Sequence, residues 1–306
     1  DHSNAEWPVV KLETVCNLFR GVTFAKKDEV SDKGQGVLTA SNLKLDGTID
    51  LKDLKVNFKQ MIERKRGVVE QTVGGIDFLM KKNKIDIIDG FGKIKTGKKV
   101  DVTAENGTVT EYTADNIIIA TGARSRELPN LPQDGVKVIG YRKAMTLPSQ
   151  PKSMIVVGSG AIGVEFAHFY NAMGTDVTIV EYMPNVVPVE DIDVSKQFER
   201  SIKKAGIKVM TNSSVESVDT SGDGVVATVK TKKGAETLQA DVLLSAVGIK
   251  SNIENIGLED VGIIVDRDKI LVNDFYQTNI PGYYAIGDVV PGQALAHVAS
   301  AEGITC

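Results

Sequence analysis

Cysteine is scarce in this sequence of 306 residues, which contains only Cys16 and Cys306. Two thiols so far apart along the chain argue against a disulfide framework and a thiolate metal site. They favour a reducing compartment, so we expect a cytoplasmic protein without a metal centre. Long apolar runs are missing too, so no membrane span is expected. An excess of positive charge is also absent, since 36 Lys and Arg face 40 Asp and Glu, which argues against a nucleic-acid partner.

Proline, in contrast, is concentrated in one part of the chain. At about 150 residues per domain, the length predicts two domains. The densest proline usage lies between Pro129 and Pro151, with Pro132 and Pro148 between them. This cluster predicts a domain boundary near residues 147–152. Residues 1–40 show no sustained periodicity and stay unassigned.

Before this boundary, the pattern predicts one long helix and several strands. Apolar residues recur at steps of three and four over residues 57–82, which predicts an amphipathic helix. Residues 84–88 are expected to form a strand. A hairpin is expected around Asn106-Gly107, the dipeptide that favours two-residue turns. Residues 116–120 are continuously apolar, as in a strand buried on both faces.

Beyond the boundary, strands and helices alternate. This order predicts a parallel sheet with crossover helices, so the fold class is α/β. The expected strands cover residues 154–157, 176–181, 207–210 and 242–247, the expected helices cover residues 161–173 and 194–205, and a strand meander covers residues 217–240.

The sharpest motif is the glycine pattern that follows the first of these strands. It consists of Gly158, Ser159, Gly160, Ala161, Ile162 and Gly163. A glycine pattern between a strand and a helix is the context of a dinucleotide fingerprint, in which the helix N-terminus holds a pyrophosphate. The alternative is a glycine turn in an α/β domain that binds nothing.

Glu181 supports the first interpretation. It follows the fingerprint by about 20 residues, at the end of the second predicted strand, where an acid accepts the adenosine ribose hydroxyls. A carboxylate there would repel a 2′-phosphate, so the sequence favours NAD over NADP.

Two further segments lie on either side of the NAD-type unit. They are "IIIATGAR" and "YYAIGDVVPGQALAHVASAEGI", and "VVGSGAIGVEFAHFYNAMGTDVTIVE" and "LLSAVGIKSN" lie between them. Together they resemble the two-dinucleotide-binding flavoproteins of the pyridine nucleotide-disulfide oxidoreductase family, class I. In that family a Rossmann-like NAD domain is inserted into an FAD domain. The resemblance covers about residues 50–303.

The resemblance implies a domain order. A partial FAD-binding domain would cover residues 41–149, the NAD-binding domain residues 150–275, and a truncated return to the FAD and central domain residues 276–306. It also implies that electrons pass from dihydrolipoamide through a disulfide and FAD to NAD. The partners implied are a second subunit and the lipoyl domains of 2-oxo acid dehydrogenase complexes.

The family's site residues are carried over only where this sequence matches the motifs. The residues implied to bind NAD are Gly158, Ser159, Gly160, Ala161, Ile162, Gly163, Glu165, Glu181, Val215 and Gly248. Glu165 would face the nicotinamide; its alternative role is that of an exposed first-turn acid stabilising the helix dipole. The residues implied to bind FAD are Gly92, Thr121, Gly122, Ala123, Asp288, Ala294, Leu295, Ala296 and His297, with Asp288 on the ribityl chain and the last four beside the flavin ring.

The departures from the family pattern concern the reactive groups. Residues 1–50 contain no glycine-rich FAD fingerprint, and Cys16 has no second cysteine within six residues. The family's His-Glu acid/base pair is also missing. We therefore expect a central fragment with no catalytic residue of its own, little or no bound flavin, and retained NAD binding. Two alternatives stay open: a non-catalytic NAD-binding module, and a related flavoprotein disulfide reductase with another substrate.

Overall fold

The computed structural model describes residues 56–306. The chain divides into two units, Asp1–Gly67 and Val68–Cys306. The first is described only from residue 56 onward, so the unassigned residues 1–40 and Cys16 lie outside the described part. The helices are α1 (Phe58–Lys82), α2 (Tyr141–Ala144), α3 (Ala161–Ala172), α4 (Ile192–Lys204), α5 (Leu258–Val261) and α6 (Ala296–Thr305), with a short 3-10 helix at Gly287–Val289.

The strands of the described part are short. They are β1 (Phe91–Lys95), β2 (Lys99–Thr103), β3 (Val109–Thr113), β4 (Ile117–Ile119), β5 (Ala123–Ser125), β6 (Val138–Ile139), β7 (Ser153–Val157), β8 (Asp176–Val180), β9 (Lys208–Met210), β10 (Ser214–Asp219), β11 (Val225–Thr231), β12 (Gly234–Ala240), β13 (Val242–Ser245), β14 (Ile249–Ser251), β15 (Val265–Asp266), β16 (Lys269–Ile270) and β17 (Tyr283–Ala285).

The predicted helix over residues 57–82 is confirmed as α1, but the strand predicted for residues 84–88 is wrong. The chain leaves α1 through a turn in which Lys84 has a φ of 57°. The β1–β2 ladder then begins only at Phe91, opposite Thr103. No strand within residues 56–306 pairs with residues 84–88, and a segment without a hydrogen-bonding neighbour does not form a strand.

The hairpin predicted around Asn106-Gly107 is confirmed. Strands β2 and β3 pair antiparallel from Lys99 to Thr113, and Gly107 has a φ of 83°. Asn106 has no positive φ, and the amide of Ala104 donates to the carbonyl of Thr108, so the connection is a three-residue loop with Gly107 in the left-handed position rather than a two-residue turn. Strand β1 adds to the outer edge of β2, which makes a three-stranded antiparallel sheet.

A parallel sheet of five strands lies at the centre of the second half, in the order β6-β13-β7-β8-β9. Helices α3 and α4 cross between β7, β8 and β9, as the alternating pattern predicts. The antiparallel meander β10-β11-β12 packs against this sheet. The core there joins Ile155, Val157 and Leu243 of the parallel strands to Val215 and Val229 of the meander. The carboxyl ends of β7, β8 and β13 are thereby held in one rigid frame.

A second core surrounds the parallel pair β4-β17. It joins Ile117 and Ile119 to Tyr283, and residues from Ile253 to Ile270 also belong to it. Strand β6 pairs with β13 in the five-stranded sheet, although it precedes the boundary predicted near residues 147–152. The packing therefore differs from the boundaries predicted at residues 150 and 275. We propose that the transitions lie at β5 and β14, which pair antiparallel.

An ion pair joins β5 to the segment that directly follows β14. The guanidinium of Arg124 donates from Nη1 to Oε2 of Glu254 at 3.0 Å and from Nη2 to Oε1 at 2.7 Å. Lys250 Nζ lies 2.7 Å from the same Oε1. These hydrogen bonds, above all those from Arg124, lower the pKa of Glu254 to about 2.

This lowered pKa predicts acid sensitivity. The folded state lowers the pKa of Glu254 below its unfolded value, so the stabilisation is present at neutral pH and is lost as the pH falls from about 5 toward 2. Because Glu254 is 39% exposed, solvent screening limits the contribution to less than about 1 kcal/mol. We expect Glu254→Gln to lower the melting temperature slightly at pH 7, with a difference from the parent that shrinks by pH 3.

Calorimetric melts between pH 7 and pH 3 test this expectation. Glu105→Gln, an exposed acid in the hairpin loop, is the matched control and should leave the melting temperature unchanged across that range. A Glu254→Gln deficit that stays constant with pH would contradict the assignment.

Candidate functional site

The fingerprint turn lies between β7 and α3, where the sequence places it. Gly158 has a φ of 98°, and a Cβ there would lie 2.5 Å from the carbonyl oxygen of Ala246. A Cβ on Gly163 would lie 2.1 Å from the carbonyl oxygen of Gly158. Gly160 is different, because no heavy atom lies within 4 Å of the place its Cβ would take. Two glycines therefore allow close packing, and the third leaves an open approach to the backbone.

The amino end of α3 has no side-chain cap. Gly160 occupies the N-cap position, no side chain hydrogen-bonds to the first turn, and this turn holds no acid. Helix α4 shows the ordinary alternative, because Asp191 caps it by accepting from the amides of Asp193 and Val194. The first amides of a helix have no partner within the helix, and the dipole makes this end positive. The turn is thus able to hold an anionic group.

Glu181 points at this turn, as its spacing predicts. It follows β8 directly and is only 6% exposed. Its Oε2 accepts from the amide of Ser159 at 2.7 Å and from the hydroxyl of Ser159 at 2.6 Å. Its Oε1 accepts from the amide of Met183 at 2.7 Å. The carboxylate is therefore held at the fingerprint.

The loop after Glu181 closes over the same turn. The amide of Val187 donates to the carbonyl of Ser159 at 3.1 Å, and the hydroxyl of Ser195 donates to the carbonyl of Val187 at 3.2 Å. These bonds hold Val187 at a φ of 40°, a region that β-branched residues avoid. Backbone strain of this kind costs on the order of 1–3 kcal/mol and persists only where the surroundings enforce it.

We expect Val187→Asn to stabilise the protein, because asparagine tolerates the left-handed region. The expected gain of about 1 kcal/mol corresponds to a rise of about 2 °C in melting temperature for a chain of this size. Val189→Asn, at an exposed valine without a positive φ in the same loop, is the control and should change nothing. A lower melting temperature for Val187→Asn would show that the side chain, not the strain, dominates.

Three further residues predicted to bind NAD lie in different environments: Val215, Gly248 and Glu165. Val215 is buried in the same core as Val157, the last residue of β7. Gly248 follows β13 with a φ of 104°, shortly after the Ala246 carbonyl that packs against Gly158. Glu165 is exposed on α3 but lies beyond the first turn, which holds no acid, so the alternative role at the helix dipole is not supported.

The structure also brings together some of the residues predicted for FAD. Because β4 and β17 are parallel neighbours, Thr121 and Gly122 follow one strand at the edge where Asp288 follows the other. The four residues from Ala294 to His297 are exposed around the start of α6. Ala123 is buried in β5, and Gly92 lies in the β1–β2 ladder opposite Val102.

Three side chains that sequence reasoning missed hold the turn after β17. The hydroxyl of Ser251 and Nζ of Lys269 both donate to the carbonyl of Asp288, at 2.7 Å and 2.5 Å. The amide of Gly287 donates to the buried carboxylate of Glu302 at 2.6 Å. The sequence around Ser251 and Lys269 contains no pattern that predicts their contact with this turn. For Glu302, the one indication in the sequence is that an acid stands in a helix with few other polar residues.

Other kinds of site find no support in residues 56–306. No group of three or more His, Cys, Asp and Glu side chains is arranged there to hold a metal ion. None of the helices in that range is both long and apolar enough to cross a membrane.

The family model described as pyridine nucleotide-disulphide oxidoreductase matches residues 14–303, so the chain belongs to this family. The match extends into residues 14–40, which sequence analysis left unassigned. A relative from Rhizobium etli named dihydrolipoyl dehydrogenase is 41% identical over 268 residues, which cover 83% of this chain and 56% of the relative. The chain spans about half the length of the curated relatives that it matches.

Two solved structures share the fold. LpdA from Mycobacterium tuberculosis gives a TM-score of 0.76 at 30% identity, covering 82% of this chain and 56% of that one. The flavoprotein disulfide reductase RclA from Escherichia coli gives 0.73 at 25% identity, covering 81% and 56%. The predicted fold class, an α/β flavoprotein architecture of the FAD- and NAD-binding kind, is confirmed.

Proposed function

We propose that this chain is the NAD-binding part, with a portion of the FAD-binding part, of a dihydrolipoyl dehydrogenase. In the whole protein, electrons would pass from dihydrolipoamide through a disulfide and FAD to NAD. The likeness to relatives of that name supports this assignment. Within the chain itself, the function is the binding of NAD or NADH.

The observation that carries this proposal is the position of Glu181. Its carboxylate lies against the fingerprint turn, hydrogen-bonded to Ser159, while the amino end of α3 is left without a cap. The uncapped amides would hold the pyrophosphate, and the open side of Gly160 would let the phosphates approach. A negative charge at Glu181 would accept a ribose hydroxyl and disfavour a 2′-phosphate, which supports NAD over NADP.

FAD fits the residues less completely. Thr121, Gly122 and Asp288 lie at the shared edge of β4 and β17, where a ribityl chain could contact them. The described residues hold no second strand-turn-helix fingerprint, and the pyrophosphate of FAD would need such an anchor. When bound in the whole protein, FAD would supply hydride exchange with NAD. For this chain we expect weak flavin binding or none.

Titration of the purified chain with NADH and with NADPH in a calorimeter tests the proposal. We expect heat and saturation with NADH and much weaker binding of NADPH; no heat with either coenzyme would contradict it. An absorbance spectrum tests the second expectation, because stoichiometric flavin bands would show that FAD is retained. Reduction of lipoamide by the chain should be undetectable, because Cys16 has no second cysteine nearby in the sequence.

Two other functions are distinguishable by experiment. A related disulfide reductase with another substrate is favoured by the likeness to RclA, and it would make the full-length protein inactive with dihydrolipoamide and NAD. A non-catalytic NAD-binding module would bind NADH and turn over neither substrate. In the dehydrogenase we also propose a second copy of the chain and lipoyl domains as partners, and a cytoplasmic location.

A further inference from the structure

Ser159 lies inside the fingerprint, yet it has no surface with which to touch a ligand. It is 0% exposed. All three of its polar groups are used within the protein: the amide and the hydroxyl donate to Oε2 of Glu181, and the carbonyl accepts from the amide of Val187. Its contribution to coenzyme binding must therefore pass through another residue.

The residue next in line is Glu181. An ionised carboxylate offers about four acceptor positions, two on each oxygen. Ser159 fills both positions on Oε2, and the amide of Met183 fills one on Oε1. The acceptor position left for a ligand is thus on Oε1. Because Ser159 donates two hydrogen bonds to Oε2, it restricts the rotation of the carboxylate and so sets the direction in which Oε1 faces.

We propose that Ser159 is a positioning residue that selects the coenzyme by holding the Glu181 carboxylate for the ribose 2′-hydroxyl, without contacting the coenzyme itself. This inference rests on the proposed function, since it assumes that a nucleotide binds at the fingerprint. Loss of the Ser159 hydroxyl leaves Oε2 with one donor, the amide of residue 159, so the orientation of the carboxylate is held less firmly. The preference for a ribose hydroxyl then weakens.

The test uses ADP and 2′-deoxy-ADP, which differ only in the hydroxyl concerned. For the parent chain we expect ADP to bind about tenfold more tightly, as one hydrogen bond to a charged group allows. In Ser159→Ala the ratio of the two dissociation constants should fall toward one. A purely structural loss at the fingerprint would weaken both ligands alike and leave the ratio unchanged.

Ser195→Ala is the matched control. Ser195 is also a fully buried serine, and its hydroxyl donates to Val187 in the same loop without contacting Glu181. It should keep the parent ratio even if its melting temperature falls. Ser159→Cys, which retains a weak donor in a similar volume, should give an intermediate ratio and serves if the alanine variant folds poorly. In a Glu181→Gln background, Ser159→Ala should change the ratio no further.

The outcomes separate this inference from the proposed function. If the parent chain binds NADH and prefers ADP, but Ser159→Ala and Ser159→Cys keep the parent ratio, the inference is wrong and the proposed function stands. If the parent chain binds no NADH, both are wrong. A ratio that falls in Ser159→Ala and not in Ser195→Ala supports the inference.

Discussion

Alanine at position 160 is expected to weaken NADH binding by about 100-fold or more, since the added methyl group keeps the pyrophosphate from the backbone amides. The fold should be unaffected. Gly160 has φ −67° and ψ 179°, which alanine adopts readily, and its Cβ would meet no heavy atom within 4 Å. We therefore expect an unchanged melting temperature together with the loss of the calorimetric NADH signal.

Gly163 provides the opposite case. Its Cβ would lie 2.1 Å from the Gly158 carbonyl, so Gly163→Ala should destabilise the chain by about 1–3 kcal/mol through overpacking. Gly222→Ala is the control for the substitution itself, because that loop glycine has free space around it and no positive φ. It should alter neither stability nor binding. Normal NADH affinity in Gly160→Ala would mean that no diphosphate approaches this turn.

The second large effect is expected from Glu181→Gln. The change should weaken NADH binding by about ten- to a hundredfold, as expected for loss of a charge-assisted hydrogen bond worth about 1.5–3 kcal/mol. An amide has only one acceptor oxygen, so its NH2 group must also face either Ser159 or Met183, both of which donate to the carboxylate. The repulsion of a 2′-phosphate should fall at the same time, so the preference for NADH over NADPH should narrow.

Glu190→Gln removes the same charge from an exposed position in the adjoining loop and serves as the control. Its NADH affinity should stay within about twofold of the parent, because exposed charges are strongly screened. Calorimetric titrations of both variants with NADH and NADPH measure the affinity and the coenzyme preference, and so test both expectations. If Glu181→Gln binds NADH as tightly as the parent chain, Glu181 does not hold the adenosine ribose.

Local chemistry explains which parts of the fold could be predicted. The hairpin at Asn106-Gly107 and the turn at Gly158 depend on backbone conformations that only a few residue types adopt, so the sequence marks them directly. The strand predicted for residues 84–88 is wrong because an apolar run says nothing about whether a neighbouring strand exists. The two-residue strand β6 joins the sheet through pairing with β13, a contact between residues more than 100 positions apart.

In the candidate site, too, the features set by local sequence could be predicted and those set by long-range contacts could not. The spacing of Glu181 from the fingerprint follows from the βαβ unit, and its direction agrees with that expectation. Other features of the site depend on long-range packing. They are the burial of Ser159, the backbone strain at Val187 and the hydrogen bond from Lys269 to the carbonyl of Asp288. Sequence periodicity carries no record of such contacts.

The pairing of β5 with β14 makes the intervening chain separable. Ser125 lies opposite Ile249. Residues 126–248 therefore leave the part of the chain built around β4 and β17, and return to it, at adjacent points about 5 Å apart. Deleting that stretch would leave two ends that a few residues could join. The excised piece would keep all five parallel strands and the meander. The fingerprint and Glu181 could thus be grafted into another host or studied as a free-standing domain.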